Sequence, residues 1–275
     1  MKSNALPRSA LPDLLHEALW FGRQQILACL FGICLLAALL LTRSWDAAHP
    51  LAREDFLFLY ALGLQLALII FRLEHRDEVL VILAFHVLAT FMEWFKTSPA
   101  IGSWQYPAEG AIFRVHEVPL FAGFLYSSVG SYLARAWRLL EFRFEGYPPV
   151  WTTVVLAVLA YGNFFTHHFV PDIRVPLLAV SVLLFGRCRI RFRTGRRGRS
   201  LPLLVGLLFV AAMIWVAENA GTYARAWIYP GQEAGWKPVS VQKLWAWYLL
   251  MILSFVLVSL VNFRKEKSAQ RRSLP

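Results

Sequence analysis

Glu93 and Glu218 are the residues whose type and setting most invite chemistry. Each sits near the end of an apolar run, and each is followed by the phrase Trp-x-Tyr-Pro, at Trp104 to Pro107 and at Trp227 to Pro230. A glutamate and a glycine complete both copies, Glu109 and Gly110 in the first, Glu233 and Gly235 in the second. A carboxyl group in the last turn of an outward-running helix meets the negative end of the helix dipole. Desolvation there also works against its charge, so it must find a partner or hold a proton. Lys96 and Arg114 could serve Glu93, and Arg225 and Lys243 could serve Glu218. An ionisable side chain inside an apolar span is a functional candidate by default, with proton transfer as its chemistry. The structural alternative is that each glutamate pins its own loop through backbone N–H groups.

A second group of polar residues lies in YGNFFTHHFVPD. Asn163 precedes His167 by one helical turn, so the two share a face. His168 and Asp172 follow. His86 lies two turns before Glu93, and His116 and Glu117 open the next apolar run. Together His86, Glu93, His116, His167, His168 and Glu218 are expected at the outer half of a helical bundle. Imidazole and carboxylate at helical spacing suit zinc or iron. No His-x-x-Glu-His or Glu-x-x-His pattern is present, however, so proton transfer or polar contact is expected of these residues and no metal is assigned. No cofactor can be named.

The elements that carry these residues are those of a membrane protein. A chain 58% hydrophobic and 16% charged has more apolar surface than a water-soluble core of 275 residues can hide. About eight apolar runs approach bilayer-spanning length: 25–42, 55–72, 78–95, 117–139, 150–168, 171–187, 201–220 and 241–263. The fold class is therefore an all-α polytopic bundle. Residues 1–24 form an N-terminal amphipathic segment, 25–263 the transmembrane domain and 264–275 a basic tail. The first run starts late and lacks a small-residue cleavage site, so it is expected to be retained.

The two Trp-x-Tyr-Pro phrases follow the third and seventh runs. An offset of four spans preserves orientation, which suggests parallel halves at about 25–143 and 150–263 related by an axis along the membrane normal. Pro107 and Pro230 bias the tyrosines before them toward extended backbone. Trp104, Tyr106, Trp227 and Tyr229 then serve either as substrate walls or as interface anchors. Both loops are expected to fold over the bundle mouth, where irregular backbone is tolerated if it is covered or lines a wet cavity.

Charge supplies the orientation. With the N-terminus inside, 20 of the 28 basic residues fall on inner segments, seven of them arginines from Arg187 to Arg199. The positive-inside rule then places both termini in the cytoplasm, with the bundle expected in a bacterial inner membrane. The arginine run GRCRIRFRTGRRGRS is a topology-fixing inner loop that attracts anionic lipid, and no nucleic-acid partner is expected. Three cysteines, Cys29, Cys34 and Cys188, form no disulfide framework. Gly123, Ser127, Gly130 and Ser131 recur at helical spacing and read as a close helix-packing face.

The phrases EWFKTSPAIGSWQYP, VPLFAGFLYSSVGSY, NFFTHHF and AENAGTYARAWIYP resemble an uncharacterised bacterial family of integral membrane proteins over roughly residues 55–263. More faintly, Glu93, Trp104, Tyr106, Gly110 and Val118-Pro119-Leu120 are similar to a pattern in membrane carotenoid hydratases and bacterial-type lycopene cyclases. That resemblance implies protonation of a polyene by an acidic residue, with aromatic faces stabilising the carbocation. The cyclases carry paired glutamates after Val-Pro, where this chain has Leu120-Phe121. Three functions follow as expectations: an enzyme acting on an isoprenoid or lipid with Glu93 or Glu218 as proton donor, a proton-coupled transporter or permease, or a non-catalytic membrane scaffold. Membrane lipid and an apolar small molecule are the expected partners.

Overall fold

A computed structural model of the protein describes residues 10–46, 48–107, 110–195 and 197–272. Residues 1–9 of the amphipathic segment, Glu109 of the first phrase, Arg196 of the arginine run and the last three residues of the tail lie outside the described residues.

The described chain is mostly helical. Its helices are α1 (Ala10–Ala28), α2 (Leu30–Leu41), α3 (Arg53–Ile70), α4 (Arg76–Thr97), α5 (Phe121–Leu139), α6 (Val150–Thr166), α7 (Arg174–Phe185), α8 (Leu203–Tyr223) and α9 (Lys243–Arg272). α2 to α9 fall on the apolar runs, because an uninterrupted apolar stretch of good helix formers satisfies its own backbone, and α1 falls mostly on the amphipathic segment. Pro149 and Pro202 stand directly before α6 and α8, where a missing N–H costs nothing. At the start of α4, the Glu78 carboxylate accepts from the His75 backbone N–H at 2.9 Å.

Among the described residues three helices are long and apolar enough to cross a membrane: α4 over Glu78–Thr97, α8 over Leu203–Tyr223 and α9 over Lys243–Arg264. The pair α1 and α2 makes a fourth only as a broken unit, bent by 68°. The first apolar run is thus not one straight helix. No proline lies at the break, and α1 beyond it is held against the arginine-rich loop. Glu17 pairs with Arg197 at 2.9 Å and with Arg199 at 2.6 Å, and Phe21 packs on Phe192 with ring centroids 5.8 Å apart. α6 and α7 are apolar but shorter. α3 carries Glu54 and Asp55 in its first turn, and α5 carries Arg138 in its last.

The all-α expectation needs a correction at the arginine-rich loop. The arginine run folds into the antiparallel pair β4 (Arg189–Thr194) and β5 (Arg197–Pro202), joined by β3 (Arg143–Glu145) in a three-stranded sheet. Arg189, Arg191 and Arg193 are exposed, whereas Ile190 and Thr194 are buried and Phe192 is half-buried. That alternation is the period of a strand, and it was present in RIRFRT from the start. A two-residue ladder, β1 (Arg114–Val115) with β2 (Val118–Pro119), shapes the loop before α5.

Packing centres on α5 and α9, which touch each other. α2, α3 and α4 pack on α5, and α6, α7 and α8 pack on α9. The α4–α5 seam is the closest because of the small residues. A Cβ on Gly123 would lie 2.5 Å from the His86 ring, and one on Gly130 would lie 3.0 Å from Phe85. Ser127 Oγ donates to the Ile82 carbonyl across the same seam at 3.2 Å.

Polarity is arranged opposite to that of a water-soluble protein. Leu183, Val175, Phe169 and Phe209 face outward, while Asp55, Glu74, Glu93, Glu218 and Arg135 are buried. Buried charges must be satisfied internally. Asp55 accepts from the backbone N–H groups of Ile112 (2.9 Å) and Phe113 (2.8 Å), which anchors the loop after the first phrase. Glu74 accepts from Ser131 Oγ at 2.6 Å and from the Gln65 amide.

Candidate functional site: two carboxylates at the end of an apolar cavity

Glu93 occupies the last turns of α4, and three side-chain donors converge on it. Trp104 Nε1 and Tyr106 Oη donate to Oε2 at 2.7 and 2.8 Å, and Tyr126 Oη donates to Oε1 at 2.6 Å. The first phrase therefore supplies both its Trp and its Tyr to the glutamate before it. Glu218, near the end of α8, accepts from Tyr229 Oη and from Trp247 Nε1. Here the phrase supplies its Tyr, and the indole comes from α9. Both carboxylates are pinned by aromatic side chains rather than by the backbone N–H groups that the structural alternative invoked.

The two clusters form one site. Trp104, a donor to Glu93, meets Tyr229, a donor to Glu218, edge to face with centroids 6.0 Å apart. Tyr126 and Trp247, also donors to the two carboxylates, pack at a tilt with centroids 6.0 Å apart. Lys243 adds a cation, with Nζ 3.6 Å from the Tyr229 ring centroid and 5.6 Å from that of Trp104. Burial first, and then the adjacent carboxylate, hold the Tyr106 and Tyr229 phenols well above the usual tyrosine range. Both consequently remain donors at any physiological pH.

The backbone explains this convergence. Gln105 and Ile228, the middle residues of the two phrases, form an antiparallel bridge. Extended geometry before each proline allows it. The two loops thus lie against each other, with the carboxylates beneath them.

Below the carboxylates opens a cavity of about 930 Å³. Glu93, Glu218 and their aromatic donors line one end, and Leu140, Phe142, Ile190 and Phe192 line the other. Between them the wall is α2, α5 and α8, and it is almost wholly apolar. Trp227 also lines the cavity. A long apolar space with one charged, hydrogen-bonded end suits a chain-like ligand with a polar terminus.

The histidines do not join it. His86 packs on Phe124 at 4.8 Å and against Gly123, within the α4–α5 seam and away from the cavity lining. His116 stacks on Trp94 at 5.6 Å. Asn163 donates to Asp172 at 2.9 Å and accepts from the Ile173 N–H at 3.1 Å, so it shapes the α6–α7 turn. His167 Nδ1 meets the Asn163 carbonyl at 2.8 Å, and its ring lies 4.1 Å from that of His168. His168 Nε2 sits 2.7 Å from Lys96 Nζ. Lys96, considered above as a partner for Glu93, thus turns to the histidine pair. Desolvation, with Lys96 adding to it, pushes His168 down to about 4, so it is neutral at pH 7 and accepts from the lysine. Among the described residues no group of three or more His, Cys, Asp or Glu side chains could hold a metal ion.

Sequence reasoning passed over Tyr126 and Trp247. Their one signal is position: both are aromatic residues with a polar edge, placed in the N-terminal halves of the two central helices. Val118 and Pro119, quoted for the cyclase-like pattern, form β2 and are buried. They line no part of the cavity.

Comparison with known proteins bears on the chain as a whole. The uncharacterized protein YoaT of Bacillus subtilis (strain 168) is 36% identical over 265 residues, covering 96% of this chain and 97% of that one. A crystal structure of a cross-linked MvINS trimer aligns at 14% identity with a TM-score of 0.49, covering 68% of this chain and 95% of that chain. A family model described as a protein of unknown function, DUF817, matches residues 17–255. The chain belongs to the DUF817 family.

Proposed function

We propose that the protein is a multi-pass membrane enzyme that takes an apolar, chain-like lipid or isoprenoid into its cavity and moves a proton at the Glu93–Glu218 end. The observation that carries this reading is the placement of two buried, aromatic-pinned carboxylates at one end of an otherwise apolar space. A glutamate held there can give a proton to, or take one from, the terminus of the bound chain. The faces of Trp104, Trp227 and Tyr229 would stabilise positive charge that develops on it.

The wider arrangement belongs to the same proposal. The helices cross a bacterial inner membrane as about eight spans, with both termini cytoplasmic and the arginine hairpin on the inner side. Two parallel halves of four, α2–α5 and α6–α9, are supported by the way three helices of each half pack on its last helix. The Gln105–Ile228 bridge falls where an axis between such halves would pass.

Glu93→Gln and Glu218→Gln test the reading. In cells each variant is expected to accumulate to wild-type level while the extracted lipid or pigment profile changes, with turnover lowered about 10²-fold or more if the group acts as general acid or base. An unchanged profile in both variants removes the catalytic reading. One observation favours a second function: the cavity reaches from the outer phrases to the inner hairpin, as a permeation path would. A proton-coupled permease predicts flux in proteoliposomes that depends on a proton gradient and fails in Glu218→Gln.

A further inference from the structure

The cavity has a flank as well as an end. Ile26 of α1, Ile33 of α2 and Val205, Phe209 and Met213 of α8 line the cavity and also belong to the outer surface, from 47% exposed at Ile33 to 63% at Phe209. A side chain that does both marks an opening. This one lies between α1–α2 and α8, and all of its marking residues are apolar.

Its limits are defined by contacts. At the outer end Ala38 and Leu39 of α2 pack with Ala224 and Ala226, just beyond α8, and close the slot. At the inner end α1 turns aside by 68° and lies on the arginine hairpin, held by the Glu17 pairs. The opening between these closures is a window in the side of the bundle. It faces outward along α8, one of the helices long and apolar enough to sit in hydrocarbon. An opening onto water would expose its apolar rim at a cost, whereas an opening onto lipid would not.

The occupant can be narrowed by charge and length. The polar end holds two carboxylates and one nearby amino group, Lys243. A phosphate head there would meet two carboxylates with a single cation to offset them, in a poorly screening interior. A hydroxyl group can donate to a carboxylate or phenol oxygen and brings no charge of its own. From Leu203 to Glu218 the cavity follows α8 for roughly 22 Å, at about 1.5 Å per residue. That is the scale of an extended long-chain acyl or polyprenyl tail.

We propose that the ligand is an uncharged, hydroxyl-bearing long-chain lipid that reaches Glu93 and Glu218 sideways from the bilayer, through the window between α2 and α8. This rests on the functional reading above and names the substrate class and its route.

The test uses the purified full-length protein in neutral detergent with a diazirine-bearing long-chain alcohol as photoprobe. Labelling is expected to map to α8 and α2. Unlabelled long-chain alcohol should compete for it at about tenfold lower concentration than the corresponding monophosphate ester, equivalent to about 1.4 kcal/mol. Ile33→Trp and Met213→Trp, which obstruct the window, should reduce labelling about tenfold. Leu83→Trp, on an exposed face of α4 away from the cavity, should not reduce it. If the obstructing variants fail to fold, Ile33→Ala and Met213→Ala should instead raise the labelling rate. Equal competition by the phosphate ester, or labelling indifferent to window size in folded variants, overturns the proposal. The two readings fail separately. A changed lipid profile in the glutamate variants without selective labelling sinks the route and keeps the enzyme. Selective labelling with an unchanged profile does the reverse.

Discussion

Gln105 and Ile228 exchange both of their backbone hydrogen bonds, Gln105 N to Ile228 O at 3.0 Å and Ile228 N to Gln105 O at 2.9 Å. They are the middle residues of the two Trp-x-Tyr-Pro phrases, the first tied to Glu93 through Trp104 and Tyr106 and the second to Glu218 through Tyr229. The bridge therefore sets the spacing between the two carboxylate clusters. Because it is made by backbone atoms, its side chains are free to differ, as glutamine and isoleucine do.

The bridge predicts an asymmetry between substitutions. Gln105→Ala keeps every backbone group and is expected to leave thermal stability within about 0.5 kcal/mol of wild type. Ile228→Pro removes the N–H that Gln105 O accepts and leaves that carbonyl unpaired, which costs about 1–3 kcal/mol. Thermal unfolding in detergent should fall by several degrees for the second variant alone. Equal effects would mean that the side chains, not the backbone, hold the loops together.

Tyr126 tests whether the third donor to Glu93 matters. Tyr126→Phe removes a 2.6 Å hydrogen bond to a buried carboxylate and keeps the ring that packs on Trp247. The expected loss is about 1.5–3 kcal/mol, as for hydrogen bonds to charged groups. Pairing it with Glu93→Gln in a double-mutant cycle should show a coupling of about 1 kcal/mol or more. Additive effects would place Tyr126 outside the carboxylate network.

The α4–α5 seam makes a steric prediction. Gly123→Ala would push a methyl group to 2.5 Å from the His86 ring, so overpacking of about 1–3 kcal/mol is expected. Substituting His86 by Ala in the same chain should recover part of the loss. Gly63→Ala, on α3 with nothing within 4 Å, should be neutral or stabilising by about 0.5–1 kcal/mol. Helix content and melting temperature decide the matter, and an unaffected Gly123→Ala would refute the seam.

His168 makes the pH prediction. Its folded value of about 4 lies below the 6.5 of the unfolded chain, so the unfolded state binds its proton first as pH falls. The stability contribution is intact above pH 6.5, is lost progressively down to about pH 4 and changes no further below that. Lys96→Met should raise the His168 titration midpoint, observed by NMR of ring-labelled histidine. A midpoint that ignores the substitution would show that the 2.7 Å contact carries no charge coupling.

Much of this architecture was legible before any coordinates. The apolar runs located the helices because a helix in lipid must satisfy its backbone from within one continuous segment, which is a local property. Glu93 and Glu218 stood out because a carboxylate is costly in such a segment. The small residues of α5 announced a close seam. Even the β4–β5 hairpin was present as alternation in RIRFRT, masked there by the weight of its arginines.

What tertiary structure alone decided was partnership. Nothing near Glu93 in the chain points to Tyr126, and nothing near Glu218 points to Trp247. Those donors arrive because α5 and α9 pack together at the centre of the fold. The histidines show the opposite outcome, since their helical spacing suggested convergence while packing sent His86 into a seam and His168 to Lys96. The docking of α1 beyond the bend is likewise tertiary, with Glu17 paired to arginines far along the chain. Periodicity and burial cost are written residue by residue and can be read in one dimension. Contacts between distant segments depend on how whole helices dock, and that is settled only when the chain has folded.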